Sequence, residues 1–415
     1  MKRFFNLLKR TPTLAVFLFI LLFYMPLAIS YPSETERNSI VSAVGIDKEE
    51  EILTLSLLCF VPQANMSYQE KLEVITCDGK SISENLEKAG RILGRDVNLN
   101  HVESIILSQN LFEEDISKVL DYFSRSPVVL TGCLVAGTNG KAQDVIKTIK
   151  EINTQSGLKF EEILRYSESN YYNKETTIDS FYDGYYSPTS TSLLSYIELT
   201  NSGKNGIAPS SSQNDSPSQE QGKEESGSSN SGEQKKGISN LGNMIALKNG
   251  KIQTLLTSEN LRVCNYFRTN NGKGLITLKD AVLNDDRKAE VVYEIVDNKV
   301  LKRVDFHNGM PLVRVKIRLN LDLYEIVDKR GNQQDNIAQY KITPSISEQI
   351  EKKVKDEISD TLSIFRQNKI DPLGIYELMM KSDRKKAQAF LDMLDDKEDF
   401  LNYIVFAISV ESEAI

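Results

Sequence analysis

The stretch PLVRVKIRLNLDLYEI, residues 311–326, decides the fold of the C-terminal third. Val313, Val315, Ile317, Leu319, Leu321 and Leu323 alternate with Arg314, Lys316, Arg318, Asn320, Asp322 and Tyr324. A period of two puts the apolar set on one face of a strand and the polar set on the other. One face is buried and one is wet, as in an antiparallel sheet. Upstream, Glu290–Val296 and Val300–Phe306 read as two further strands, with turns at Asp297-Asn298 and His307-Asn308-Gly309. Downstream the period changes. Thr343 is a helix cap and Pro344 the first helical residue. Ile346, Ile350, Val354, Ile358, Leu362 and Phe365 then recur every three or four residues, which makes one apolar stripe. That stripe is expected to dock on the face carrying Val313 to Leu321. Arg384–Leu394 reads as a shorter helix and Tyr403–Val410 as a closing strand.

The N-terminal half alternates strand and helix. Ile40–Gly45, Ile52–Val61 and Leu72–Cys77 read as strands, the last closed by the turn at Asp78-Gly79-Lys80. Ser81–Leu93 is an amphipathic helix, with Ser81 as N-cap and Glu84 completing a capping box. Val102–Leu107 and Val128–Ala136 are strands; Leu111–Ser124 and Ala142–Ile152 are helices. Helix is expected around Phe160–Ser167 and irregular structure after it. Between the halves, Ser202–Gly237 is rich in Ser, Gly, Gln and Glu and almost without aliphatic residues, so it reads as a disordered linker or long loop. Asn249-Gly250, between Met244–Leu247 and Lys251–Leu256, is a hairpin signal.

The chain opens with Lys2, Arg3, Lys9 and Arg10, followed by an uncharged run whose core is LAVFLFILLFYMPLAI, residues 14–29. Leu14, Phe17, Phe19, Ile20, Leu22 and Phe23 are the residues expected in the membrane segment. Basic residues before an apolar run are held on the cytoplasmic side, so the bulk of the chain is expected outside. The core is intermediate in length between a signal peptide and a spanning helix. Ala28 and Ser30 suit a cut before Tyr31, and the segment also suits retention as an anchor. The expected organisation is α+β: a signal or anchor segment at 1–30, an N-terminal domain of mixed sheet and helices at 31–200, a linker at 201–238, a small middle domain at 239–285 and a C-terminal domain at 286–415. The sheets are expected to carry helices on one face, the last being an antiparallel sheet packed by a long helix.

A net charge of −8, with no dense Lys/Arg cluster beyond the leader, argues against nucleic acid as a partner. Cys59, Cys77, Cys133 and Cys264 are too irregularly spaced for a disulfide framework or a metal site, and the first three read as small buried hydrophobes. Cys59 and Cys77 could be bridged only if their strands are neighbours. His101 and His307 are the two histidines, one before a strand and one in a turn. GTNGKA at 137–142 fails as a phosphate loop: its spacing is wrong, and Ala142 offers no hydroxyl to a metal. Asp285-Asp286 and Asp395-Asp396 read as solvated turns. No catalytic, cofactor-binding or metal-ligating residue is assigned, and binding or scaffolding is favoured over an enzyme.

In order, several passages resemble the Ger(x)C family, the C subunits of spore germinant receptors. They are IVSAVGIDKEE (40–50), DGKSISENL (78–86), NLNHVESIILSQNL (98–111), LDYFSRSPVVLTGCLVAGTNGKAQDVI (120–146), MIALKNGKIQTLLTSENLR (244–262), the strand and long helix above, and KIDPLGIYELM (369–379). The resemblance implies a three-domain α+β protein without enzymatic activity or cofactor. It implies a place at the outer face of a membrane, the inner spore membrane in a spore former, beside integral A- and B-type subunits in nutrient-triggered germination. No ligand-contact residues carry over. Family members have a lipid-bearing Cys shortly before the G-I-D segment; here that stretch is PLAISYPSE, with Ile29 near the expected position. Tethering would then fall to the leader, retained as a transmembrane helix. The alternative is an anchored or secreted envelope scaffold with the same fold outside germination.

Overall fold

The computed structural model describes residues 38–61, 71–156, 161–162, 176–201, 236–240, 242–268, 274–283, 288–327 and 343–414. Its C-terminal sheet is built on the stretch from Pro311. Strands β11 (Gly274–Val282), β12 (Lys288–His307), β13 (Met310–Val327) and β14 (Val405–Ala414) lie in that order. Val313, Val315, Ile317, Leu319 and Leu321 are all buried. Helix α6 (Pro344–Gln367) buries Ile346, Ile350, Val354, Ile358, Leu362 and Phe365 in the same core. Thr343 caps it, its hydroxyl accepting from the Ile346 N–H, and Pro344 opens the first turn. Two short helices, α7 (Ile375–Ser382) and α8 (Arg384–Asp392), complete the cover on this face.

Two details depart from the expected pattern. β12 runs unbroken through Asp297-Asn298, where a bulge replaces the turn. β13 is long enough to hold β12 on both sides of that bulge, so the extra residue is absorbed locally. β14 pairs with β13 in parallel. A parallel return needs a long crossover, and residues 343–404 supply one through the three helices.

The larger sheet contains β1 (Asn38–Glu49), β2 (Ile52–Val61), β3 (Lys71–Gly79), β4 (Asp96–Asn98), β5 (Ser104–Leu107), β6 (Leu134–Thr138), β7 (Thr191–Asn201), β8 (Lys236–Asn240), β9 (Met244–Lys248) and β10 (Lys251–Leu256). Its order is β10-β9-β7-β6-β5-β1-β2-β3, with β4 beside β1 and β8 beside β7. β1, β5, β6 and β7 are mutually parallel. Helices cover both faces of this sheet. On one lie α1 (Ile82–Leu93), α2 (Ser117–Ser124) and α4 (Ile178–Tyr185); on the other lies α3 (Ala142–Ser156). Parallel strands need crossovers, and crossovers leave helices on the sheet faces. α4 and β7 occupy a region expected to be irregular.

Asn201 and Lys236 are paired residues of β7 and β8. The Ser/Gly-rich segment between them therefore spans the two arms of one antiparallel pair; the segment itself lies outside the described residues. The stretch 239–285, expected as a small middle domain, is divided. β9 and β10 extend the larger sheet from β7, α5 (Ser258–Tyr266) enters the C-terminal core, and β11 pairs with β12. The strands extend their sheets from an edge, while the helix packs into the core. β2 and β3 are neighbours, but the register sets Cys59 opposite Glu73 and Cys77 opposite Leu55. Four residues along a strand is about 13 Å, beyond disulfide reach. All four cysteines are free and buried.

Candidate functional site

Two buried carboxylates organise the molecule, and both fall in passages singled out by the sequence. Asp47 closes the G-I-D segment of β1. Its oxygens accept from the Ala142 and Gln143 N–H groups at 2.7 and 3.0 Å, which caps α3. Gly45 lies against α3: a Cβ there would stand 2.8 Å from Ile146 Cγ1 and 3.2 Å from the Ala142 carbonyl carbon. The G-I-D segment and the GTNGKA turn are thus partners of each other. The helix end that resembles a phosphate seat is filled by the protein's own carboxylate. Burial raises the Asp47 pKa, against the pull of the two N–H groups and Lys141.

The second carboxylate, Asp371, lies where the two sheets meet. Its oxygens accept from the Ile375 and Tyr376 N–H groups at 2.9 and 2.8 Å, and Gly374 at φ +68° lets the chain turn into α7. The backbone N–H of Asp371 donates to the Thr191 hydroxyl of β7 at 3.2 Å. Two residues earlier, the Lys369 carbonyl accepts from Lys248 Nζ of β9 at 2.9 Å. That buried ammonium also pairs with Glu398 at 2.9 Å. Met244, Ala246 and the half-buried Leu193 join the C-terminal core from the larger sheet. The seam is therefore apolar inside and pinned by three polar links. Burial pushes the Asp371 pKa up to about 6. A cavity of about 420 Å³ opens beside it, lined by Ser180, Asp183, Thr189, Arg268 and Glu377 among others.

The remaining sequence candidates do not gather there. His101 and His307 are exposed, the first in the turn between β4 and β5 of the larger sheet and the second at the end of β12 in the other. Asp396 caps the turn that follows α8 through the Glu398 N–H and pairs with Lys369 at 2.7 Å. Asp285 and Asp286 lie outside the described residues, as do Leu14, Phe17, Phe19, Ile20, Leu22 and Phe23. Among the described residues no group of three His, Cys, Asp or Glu converges as a metal site, and no helix is long and apolar enough to cross a membrane. Burial pushes the thiols of Cys59 and Cys133 up to about 12, which leaves them protonated and inert. The seam residues Thr191 and Lys248 were not legible beforehand. Asp371 was partly so, since Asp-Pro-Leu-Gly before an apolar helix is capping chemistry. The arrangement at Asp371 holds elements together: both oxygens are spent on backbone N–H groups.

Comparison with known proteins gives the chain its family. A model described as the spore germination protein N-terminal domain matches residues 32–199. A second, described as spore germination B3/GerAC like, C-terminal, matches residues 242–411. The chain belongs to the Ger(x)C family, the C subunits of spore germinant receptors. One solved structure, titled the crystal structure of the GerBC protein, has the same fold. It aligns with a TM-score of 0.51 at 14% identity, over 90% of this chain and 96% of that one. No curated protein matches the chain. In this Ger(x)C chain the second family match begins at 242, yet β9 and β10 complete the sheet of the first. The two matched regions are joined by strand pairing as well as by the seam.

Proposed function

We propose that the chain is a non-catalytic subunit of a germinant receptor. It works at the outer face of a membrane beside integral A- and B-type subunits in nutrient-triggered germination. The observation that carries this reading is the pair of family matches, in order, over both folded units. The seam at Asp371 and Lys248 supports it, because a subunit that relays between partners needs units that move as one. The run from Leu14 to Ile29 acts as a retained transmembrane anchor, in place of the lipid that position 29 cannot carry. Two measurements test this. The chain purified from detergent-solubilised membranes should bring both integral subunits with it. Deleting it should abolish nutrient-triggered germination, and restoring it should bring germination back. Unchanged germination without the chain would overturn the proposal, and an intact-mass N-terminus at Tyr31 would overturn the anchor.

A further inference from the structure

Strands β1, β5 and β6 are parallel neighbours, so their starting ends lie together. β1 begins at Asn38, and β4 begins beside it with Asp96 opposite Asn38. The Glu103 N–H donates to the Ser42 carbonyl at 2.8 Å, and the Leu134 N–H to the Glu103 carbonyl at 2.9 Å. These bonds bring the segments preceding β5 and β6 to the same end. α1 leaves the far end of β3 and finishes just before β4, so its last turn also arrives there.

This end is unlike the opposite one. Among the described residues of 38–201, six large apolar side chains are exposed, and four of them, Ile40, Ile92, Val128 and Leu130, are at this end. Ile92 and Leu130 are 63% and 70% exposed. Arg91 and Arg125 flank them, each held by an acid one turn earlier on its own helix and each more than half exposed. The opposite end carries the β1–β2 hairpin, where Glu50 and Glu51 are exposed and Glu49 pairs with Lys141 at 2.7 Å. Exposed apolar side chains suit the lipid interface, whereas the exposed carboxylates of Glu50 and Glu51 do not.

Chain length fixes which end can reach the bilayer. Seven residues, 31–37, separate Ser30 from Asn38. Fully extended they span at most ~25 Å. The end that begins β1 is therefore kept near whatever surface holds the leader.

We infer that the end of the larger sheet bearing Ile40, Ile92, Val128 and Leu130 rests on the outer surface of the membrane, its exposed apolar tips in the lipid interface. This rests on the membrane reading above and adds an orientation to it: the acidic β1–β2 hairpin points away from the bilayer.

The four native cysteines are buried, so a single introduced cysteine takes a fluorophore selectively. The full chain would be placed in vesicles of phosphatidylethanolamine and phosphatidylglycerol, labelled in turn at Leu130→Cys, Ile92→Cys, Ile52→Cys and Leu301→Cys. All four side chains are exposed, so the fold tolerates the change. Lipid-borne quencher should dim the labels at 130 and 92 several-fold more than those at 52 and 301, and aqueous iodide should do the reverse. If all four are equally open to iodide while the chain stays with the vesicles, the orientation is wrong and membrane attachment stands. A label at 130 hidden from both quenchers would mean that protein covers this end, which also overturns the inference. If the chain does not stay with the vesicles, the membrane reading itself fails.

Discussion

Asp47 and Asp371 do the same job in different surroundings. Each caps a helix, but Lys141 faces Asp47 while Glu377 adds to the burial of Asp371. Asp47→Ala removes two hydrogen bonds from the start of α3 and should cost about 2 kcal/mol, read as a lower denaturation midpoint. Asp371 makes a pH prediction. Its pKa is raised from 3.8 to about 6 in the folded protein. The folded state therefore binds the proton more tightly than the unfolded one. The stabilising share of this group is complete below about pH 4 and is lost as pH rises through 6. The span corresponds to at most ~3 kcal/mol. Asp371→Asn removes the titration, so relative to the parent it should gain stability between pH 4.5 and pH 7. An unchanged difference in unfolding free energy at the two pH values would rule this out.

At the scale of elements, β13 and α6 were legible because each has one buried face and a strict period over many residues. Truncating Ile358 to Ala should cost about 2–5 kcal/mol. Val354→Asp should do worse, since it places an unpaired carboxylate in the core. A Val354→Asp protein that melts like the parent would show that the stripe is not the core face. β7 was not legible for the opposite reason. Leu194, Ser195 and Ile197 are buried and both faces of the strand are covered, so no alternation marks it. α5 hides its polar residues inside: Asn260 donates to the Thr361 hydroxyl at 3.2 Å in the buried interior. The Ser/Gly-rich segment makes a prediction at this scale too. Its flanks, Asn201 and Lys236, are already paired. Replacing residues 204–233 by a short Gly/Ser turn changes loop-closure entropy by roughly 0.6 kcal/mol per halving of length. The melting temperature should stay within a few degrees, and a larger drop would show that the segment contributes to packing.

For the whole molecule, the seam decides whether two sheets behave as one body. Lys248→Glu sets a carboxylate beside Glu398 and removes the donor to the Lys369 carbonyl. The seam should weaken by about 1–3 kcal/mol. Calorimetry should show one transition for the parent and an earlier, separate one in the variant. A single unshifted transition would mean that the apolar contacts around Leu193 and Met244 suffice. The sequence alone determined the local identities: the alternating strand at 313–323, the striped helix at 346–365, the capped helix at 82–93 and the order of passages that marks the family. These are local, because period and capping depend on neighbours within a few residues. Only the tertiary structure decided that β9 and β10 join the first sheet, that β14 returns in parallel, that Cys59 and Cys77 are out of register, and that the Asp47 carboxylate and the Asp371 backbone N–H reach distant segments. Those outcomes depend on which sheet edge is open and which N–H is unpaired once the chain has collapsed. Their partners are tens to hundreds of residues apart, where no periodicity in the sequence can report them.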